Sequence, residues 1–254
     1  MIAWTREVPS SIAHCELTHL AREPIDVMVA RVEHARYEEA LRVAGLEVRR
    51  LPPRDDLPDS VFVEDSAVIL DELAVIARSG AASRRAEVES VRAALAPHRP
   101  LASIVEPATL DGGDVLVLDH DVLVGLTERT NEAAVAQLGA LLSPHDFRVR
   151  GVPITGCLHL KSAVTRAGPR TVVVNPAWIR AAEFAGWNVI NVDPDEPFAA
   201  NVLWLGAVTI VAEGYPRTRK RLTKSAGVEL VAVPAGELAK AEGGVTCCSL
   251  LLRE

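Results

Sequence analysis

The sequence predicts an α/β protein of repeated modules that close into a ring. Two observations carry that prediction. The order strand, tight turn, strand, helix, strand recurs from Ala67, from Val115, from Leu158 and from Val202, and a period of roughly fifty residues marks a repeat array. The C-terminal stretch, Gly243 to Leu252, is unlike an ordinary tail: two glycines, a threonine, two cysteines and a serine lead into an apolar run. Chain ends are usually polar and frayed, so this one is expected to dock. Pairing Val245 to Leu252 with the N-terminal helix and strand would supply a fifth module and close the ring.

The elements follow in order. Met1 to Val8 reads as an irregular start or a first strand, and Ser10 to Arg22 as loop with helical turns. From Asp26, apolar residues at helical spacing (Val27, Ala30, Leu41, Ala44) predict a helix that Gly45 stops. Val48 to Leu51 is a strand ended by Pro52-Pro53. Val68 to Leu70 and Leu73 to Ala77 form a hairpin. Ser83 is expected to cap a helix with Val88, Val91, Ala94 and Leu95 on its apolar face. Val115 to Leu118 and Val122 to Leu126 form the next hairpin, and a helix runs on through Leu142. Gly156 to Val164 reads as a strand, with His159 and Lys161 alternating against leucines, paired with Thr171 to Val174. Asn175-Pro176 leads into a helix, then Val189 to Val192 is a strand. Val202 to Leu205 and Val208 to Ala212 form a hairpin, Arg217 to Ala226 a helix and Val228 to Val233 a strand.

Composition narrows the function. With 254 residues, 49% of them hydrophobic, the chain can bury a sizeable core. The net charge is -7, and basic residues are scattered apart from Arg217 to Lys224, which excludes a nucleic-acid partner. The residues from Met1 to Glu7 show no basic stretch followed by an apolar one, so no secretion signal is expected. The longest apolar run, Val202 to Ala212, is too short to span a bilayer, so no membrane partner and a cytoplasmic location are expected. Cys15, Cys157, Cys247 and Cys248 show no metal-ribbon spacing. Four free thiols are expected in a reducing compartment.

Chemistry-bearing residues fall early in the modules or just before them. Asp59, Glu64 and Asp65 crowd the start of an apolar strand, where unpaired carboxylates would be costly. Arg84 and Arg85 lie in the first turn of a helix, against its dipole, which hints at an anion. Asp111, His159 and Cys247 each open a different module. Taken singly, a buried cysteine is more often inert and a strand histidine more often a core residue. Ring closure would bring them to one cleft, where a thiol beside an imidazole forms a nucleophile with a proton shuttle. Carboxylates there favour a cation, and a guanidinium matches carboxylate oxygens in geometry. Arginines at the rim would hold a carboxylate, so the substrate would be arginine-like.

The segments Pro58 to Asp65, Ser83-Arg84-Arg85, Leu110 to Asp114, Arg129-Thr130-Asn131, Leu158 to Lys161, Ala199-Ala200-Asn201, Gly214 to Arg219 and Gly243 to Cys247 together resemble dimethylarginine dimethylaminohydrolases, of the guanidino-modifying pentein superfamily. The likeness runs in order from about Leu17 to Leu250. It implies a five-bladed α/β propeller of ββαβ modules with pseudo-fivefold symmetry, a single domain over residues 1–254. It also implies hydrolysis of Nω-methylated arginines to citrulline and a methylamine, with neither cofactor nor metal. By that carry-over Cys247 attacks the guanidinium carbon to give a covalent thiouronium, and His159 protonates the leaving amine, then activates water. Asp111 supports His159, and Glu64 with Asp65 binds the guanidinium. Arg84 and Arg129 hold the α-carboxylate, and Asp59 with the carbonyls of Leu17 and Ala241 lies at the α-amino end. Cys248 is outside the motif and is expected on the opposite face of a terminal strand. The expected partner is the methylated arginine itself, with a homodimer left open. A related hydrolase acting on unmethylated arginine, or a binder without turnover, are the alternatives.

Overall fold

The computed structural model describes residues 1–225 and 227–253. Its strands form five three-stranded sheets. The first contains β1 (Ile2–Arg6), then α1 (Val27–Val43) and β2 (Glu47–Leu51). The second is β3 (Ala67–Ile69), β4 (Ala74–Ile76), α2 (Val88–Leu95) and β5 (Leu101–Ser103). The third is β6 (Val115–Leu118), β7 (Asp121–Leu126), α3 (Glu132–Leu142) and β8 (Arg148–Pro153). The fourth follows a one-turn helix, α4 (Leu160–Ala163), with β9 (Val164–Gly168), β10 (Thr171–Val174) and β11 (Asn188–Asn191). The fifth is β12 (Leu203–Trp204), β13 (Val208–Ala212), α5 (Pro216–Ser225) and β14 (Glu229–Val233). A short α6 (Gly236–Ala239) then leads to β15 (Leu250–Leu252).

The tail closes the ring. β15 pairs antiparallel with β1 in the register Ile2↔Leu252, Ala3↔Leu251, Trp4↔Leu250, while β1 runs parallel to β2. The other four sheets repeat this pattern, an antiparallel hairpin followed by a parallel third strand. A parallel neighbour requires a crossover connection, and α1, α2, α3 and α5 supply it in four modules. Five separate apolar clusters form the core, one of which packs Ile2, Leu250 and Leu252 against Ala67, Ala74 and Leu95 of the next module.

Local chemistry explains most boundaries. The Asp26 carboxylate accepts from Met28 N–H at 2.9 Å and Val29 N–H at 3.1 Å, capping α1. Gly45, at φ +87°, takes the left-handed turn that ends it. Asn131 caps α3 through Ala134 N–H at 3.1 Å. No helix among the described residues is long and apolar enough to cross a membrane.

Four expectations need correction. Ser83 caps no helix: Ala82–Glu87 is a 3-10 segment ahead of α2, and the Ser83 hydroxyl donates to Glu16 at 2.6 Å. Gly156 to Val164 is not one strand. His159 is extended, but Leu160 turns into α4 because its N–H is captured by the Asp114 carboxylate at 2.9 Å. Asn175-Pro176 opens no α-helix; the short crossover contains only a 3-10 turn, Ala181–Phe184. Residues 245–248 form a turn rather than a strand, so the separation of Cys247 from Cys248 does not rest on strand alternation. The helix from Arg217 is found as α5, and its expected last residue, Ala226, lies outside the described residues.

Candidate active site

The same structural position recurs in all five modules, just ahead of the first strand. It carries Glu64 and Asp65 before β3, Asp111 before β6, His159 before α4 and β9, Asn201 before β12, and Cys247 before β15. Repetition of the backbone therefore brings one such residue from each of four modules, and two from the module of β3, to equivalent places in the ring. All of these side chains are buried.

Hydrogen bonds lock the cluster together. Glu64 accepts from Lys161 Nζ at 2.7 Å and from the Thr246 hydroxyl at 2.7 Å, and its N–H donates to the Cys247 carbonyl at 3.1 Å. Asn201 accepts from Thr246 N–H at 3.0 Å, and its amide donates to the Thr246 hydroxyl at 3.0 Å and the Lys161 carbonyl at 3.2 Å. Thr246, directly before Cys247, is thus fixed from two neighbouring modules. Gly244 N–H donates to Cys247 Sγ at 3.3 Å. Gly244 must be glycine, since a Cβ there would lie 2.4 Å from the Asn201 side chain.

His159 sits between two carboxylates. Its Nε2 is 3.1 Å from Asp111 Oδ2, and its Nδ1 is 3.7 Å from Asp65 Oδ1. Asp65 Oδ1 also accepts from Gly113 N–H at 3.0 Å. A Cβ on Gly113 would come within 2.7 Å of both Asp65 Oδ1 and His159 Nδ1, so only glycine permits this approach. Asp114 holds the backbone behind His159: besides Leu160 N–H, it accepts from the hydroxyls of Thr127 at 2.8 Å and Thr130 at 2.6 Å.

The charge states follow from these surroundings. Burial pushes the Cys247 thiol up to about 12, with Glu64 and Asp65 adding to the shift and the Gly244 and Thr246 donors opposing it. Burial would lower the His159 imidazolium, but Asp65, Asp114 and Asp111 outweigh it and hold the group at about 9. Burial likewise opposes ionisation of Asp65, yet His159 and Arg84 bring it down to about 2. At neutral pH the free site holds a neutral thiol and an imidazolium. Asp65, Asp111 and His159 offer donor atoms within 4.8 Å of one another, the spacing of a metal site. A metal ion would have to displace the imidazolium proton and compete with Arg84 for Asp65.

The remaining predicted residues surround this centre. Arg84 is buried and already paired, to Asp65 at 2.7 Å and to Glu87 at 2.9 and 3.0 Å. The anion suggested by its place in the sequence is therefore provided by this chain. Arg129 Nη1 lies 3.6 Å from Asp111 Oδ2 without a hydrogen bond, and Asp111 Oδ1 is likewise buried without a partner. Unpartnered buried polar atoms are uncommon and call for a reason. Asp59 accepts from Glu16 N–H at 3.1 and 3.2 Å. Leu17 and Ala241 pack in one apolar cluster with Phe62, Val245 and Cys247. Cys248 is buried, its thiol donating to the Gly244 carbonyl at 3.6 Å, and burial raises it well above an ordinary thiol.

Asn201, Lys161, Thr246, Asp114 and Glu87 had no role assigned from the sequence. The repeat itself could have found Asn201, which occupies the fifth module's version of the position held by Asp111. Lys161, Thr246 and Asp114 reach the site through contacts between modules that no local pattern announces, while Glu87 reaches it through Arg84, three residues before it.

A family model described as arginine deiminase matches residues 54–187. The N(G),N(G)-dimethylarginine dimethylaminohydrolase of Streptomyces coelicolor is 41% identical over 254 residues, 99% of this chain and 97% of that protein. The crystallised Pseudomonas aeruginosa enzyme, a cysteine-to-serine variant in complex with citrulline, superposes with a TM-score of 0.93 at 30% identity, covering 98% of this chain and 97% of its own. A dimethylarginine dimethylaminohydrolase with histidine replaced by glycine, as an adduct with S-methyl-L-thiocitrulline, gives a TM-score of 0.92 at 30% identity, covering 98% of each chain. A buried thiol and imidazole set among carboxylates in a closed ring of five modules, with full-length similarity at this level, place the chain in the dimethylarginine dimethylaminohydrolase family.

Proposed function

We propose that this protein hydrolyses Nω-methylated arginines, asymmetric dimethylarginine and monomethylarginine, to citrulline and dimethylamine or methylamine. The carrying observation is the set of groups gathered in one buried centre: the Cys247 thiol and the His159 imidazolium beside the carboxylates of Glu64, Asp65 and Asp111. Asp111 Oδ1, buried without a donor, is a place for a guanidinium N–H.

In this reading the substrate guanidinium docks against Asp65, Glu64 and Asp111. Its charge offsets the carboxylates that keep Cys247 protonated, so the thiol ionises on binding and its proton passes to solvent. The thiolate attacks the guanidinium carbon. His159 gives its proton to the departing methylamine, and the C–N bond breaks to leave a thiouronium on Cys247. The now neutral His159 takes a proton from water, which attacks the same carbon. The C–S bond then breaks as the hydroxyl gives up its proton to form the citrulline carbonyl, and that proton returns Cys247 to its neutral thiol. Arg129 takes the α-carboxylate with Arg84 behind it, and Asp59 with the Leu17 and Ala241 carbonyls takes the α-amino group. The four free thiols support the expected cytoplasmic setting.

The match to the arginine deiminase model favours a second reading, hydrolysis of unmethylated arginine. Citrulline release from asymmetric dimethylarginine, monomethylarginine and arginine, each offered separately, decides between them. Turnover of the methylated substrates is expected; turnover of arginine alone would overturn the proposal, and binding without citrulline would leave a binding protein.

A further inference from the structure

Glu242 follows Ala241 directly and has an unusual conformation. Its φ is +58°, a left-handed backbone that residues other than glycine rarely adopt. The conformation aims its carboxylate across the site at a segment more than two hundred residues away in sequence. There it accepts three consecutive backbone N–H groups, from Thr18 at 3.0 Å, His19 at 2.6 Å and Leu20 at 2.7 Å. Residues 16–20 have no regular secondary structure to satisfy these donors. The same loop is held at its start by Asp59, which accepts Glu16 N–H, and the chain beyond it by Glu237, which accepts Asp26 N–H at 2.9 Å. Between those anchors Glu242 is the carboxylate bound to the loop.

We propose that Glu242 is a positioning residue for substrate binding: it fixes the 16–20 loop, and with it Leu17, against Ala241 over the amino-acid end of the site. This rests on the reading that the Leu17 and Ala241 carbonyls receive the α-amino group. Those two residues are the immediate neighbours of the two ends of the latch, so one carboxylate sets their separation. Leu17 also packs against the apolar cluster that contains Cys247 and Ala241. The left-handed turn also ends α6, where Gly243 N–H donates to the Leu238 carbonyl at 3.0 Å.

Glu242→Gly is the informative variant, because glycine accepts a positive φ without steric cost and the fold is retained. Loss of charge-assisted hydrogen bonds to a loop predicts a KM for monomethylarginine raised about tenfold or more, with kcat changed less than about threefold. An N-butyl-N′-methylguanidine, which lacks the α-amino and α-carboxylate groups, keeps its wild-type KM. Glu242→Gln, which retains one acceptor oxygen, falls between. A second readout needs no turnover: trypsin cleavage after Arg22 in the folded protein accelerates in Glu242→Gly. Unchanged cleavage, or an equal KM increase for both substrates, overturns the proposal. If the wild-type protein turns over neither guanidine, the functional reading fails, and the cleavage rates alone still decide whether Glu242 holds the loop.

Discussion

Replacing Glu64 with glutamine should make a sluggish thiol reactive. Cys247 is held up at about 12, first by burial and then by Glu64 and Asp65. An ordinary cysteine titrates near 8.5, so at neutral pH the free enzyme has about three orders of magnitude less thiolate than a free thiol. Glu64 lies one hydroxyl away: Thr246 Oγ1 is 2.7 Å from Glu64 Oε2 and 4.0 Å from Cys247 Sγ. For two charges on the order of 6 Å apart at an effective dielectric near 20, the repulsion is about 3 kcal/mol, or about two pKa units. Removing it also frees Lys161, whose charge then acts in the same direction. Iodoacetamide alkylation, followed from pH 6 to 10 with Cys247→Ser as the blank for the other thiols, should accelerate about a hundredfold in Glu64→Gln at pH 7. Fast alkylation of the unliganded wild type at pH 6, or no acceleration in the variant, would refute the electrostatic account. A bound guanidinium that does not react should accelerate wild-type alkylation in the same way.

Three further outcomes are expected. Cys247→Ser should abolish citrulline formation and leave the urea midpoint nearly unchanged, whereas Cys248→Ala should keep most activity at a stability cost of about 1 kcal/mol; the reverse pattern would identify the other thiol as the nucleophile. His159 is raised from 6.5 to about 9 on folding, so its contribution to stability is complete below pH 6.5 and lost as pH rises through 9. Urea unfolding at pH 6 and pH 9.5 should differ by up to about 3 kcal/mol more in the wild type than in His159→Asn, and the amine-release step should slow above about pH 9. Leu252→Ala, at a fully buried position on the closing strand, should cost about 3 kcal/mol and lower the melting temperature; a neutral result would show that the ring does not depend on its end-to-end pairing.

The module and its closure could be read from local signals in the chain. Strand and turn signals are local, so the hairpins at Ala67, Val115 and Val208 and the bounds of α1, set by Asp26 and Gly45, were legible. The apolar Leu250-Leu251-Leu252 also revealed a docked end, because exposing it would waste buried-strand chemistry. Repetition then implied that Asp65, Asp111, His159 and Cys247 share a centre. The surroundings of each depend on the folded ring. The alternation around His159 looks like a strand from within its own module; Asp114, from the preceding one, captures Leu160 N–H and makes it a turn. Arg84 announces an anion through its conflict with a helix dipole, but only the folded ring shows that Asp65 and Glu87 are that anion. The protonation of Cys247 and His159 likewise lay outside the sequence. Burial and fields from residues far apart in the chain set both values, and those fields exist only once the five modules have closed.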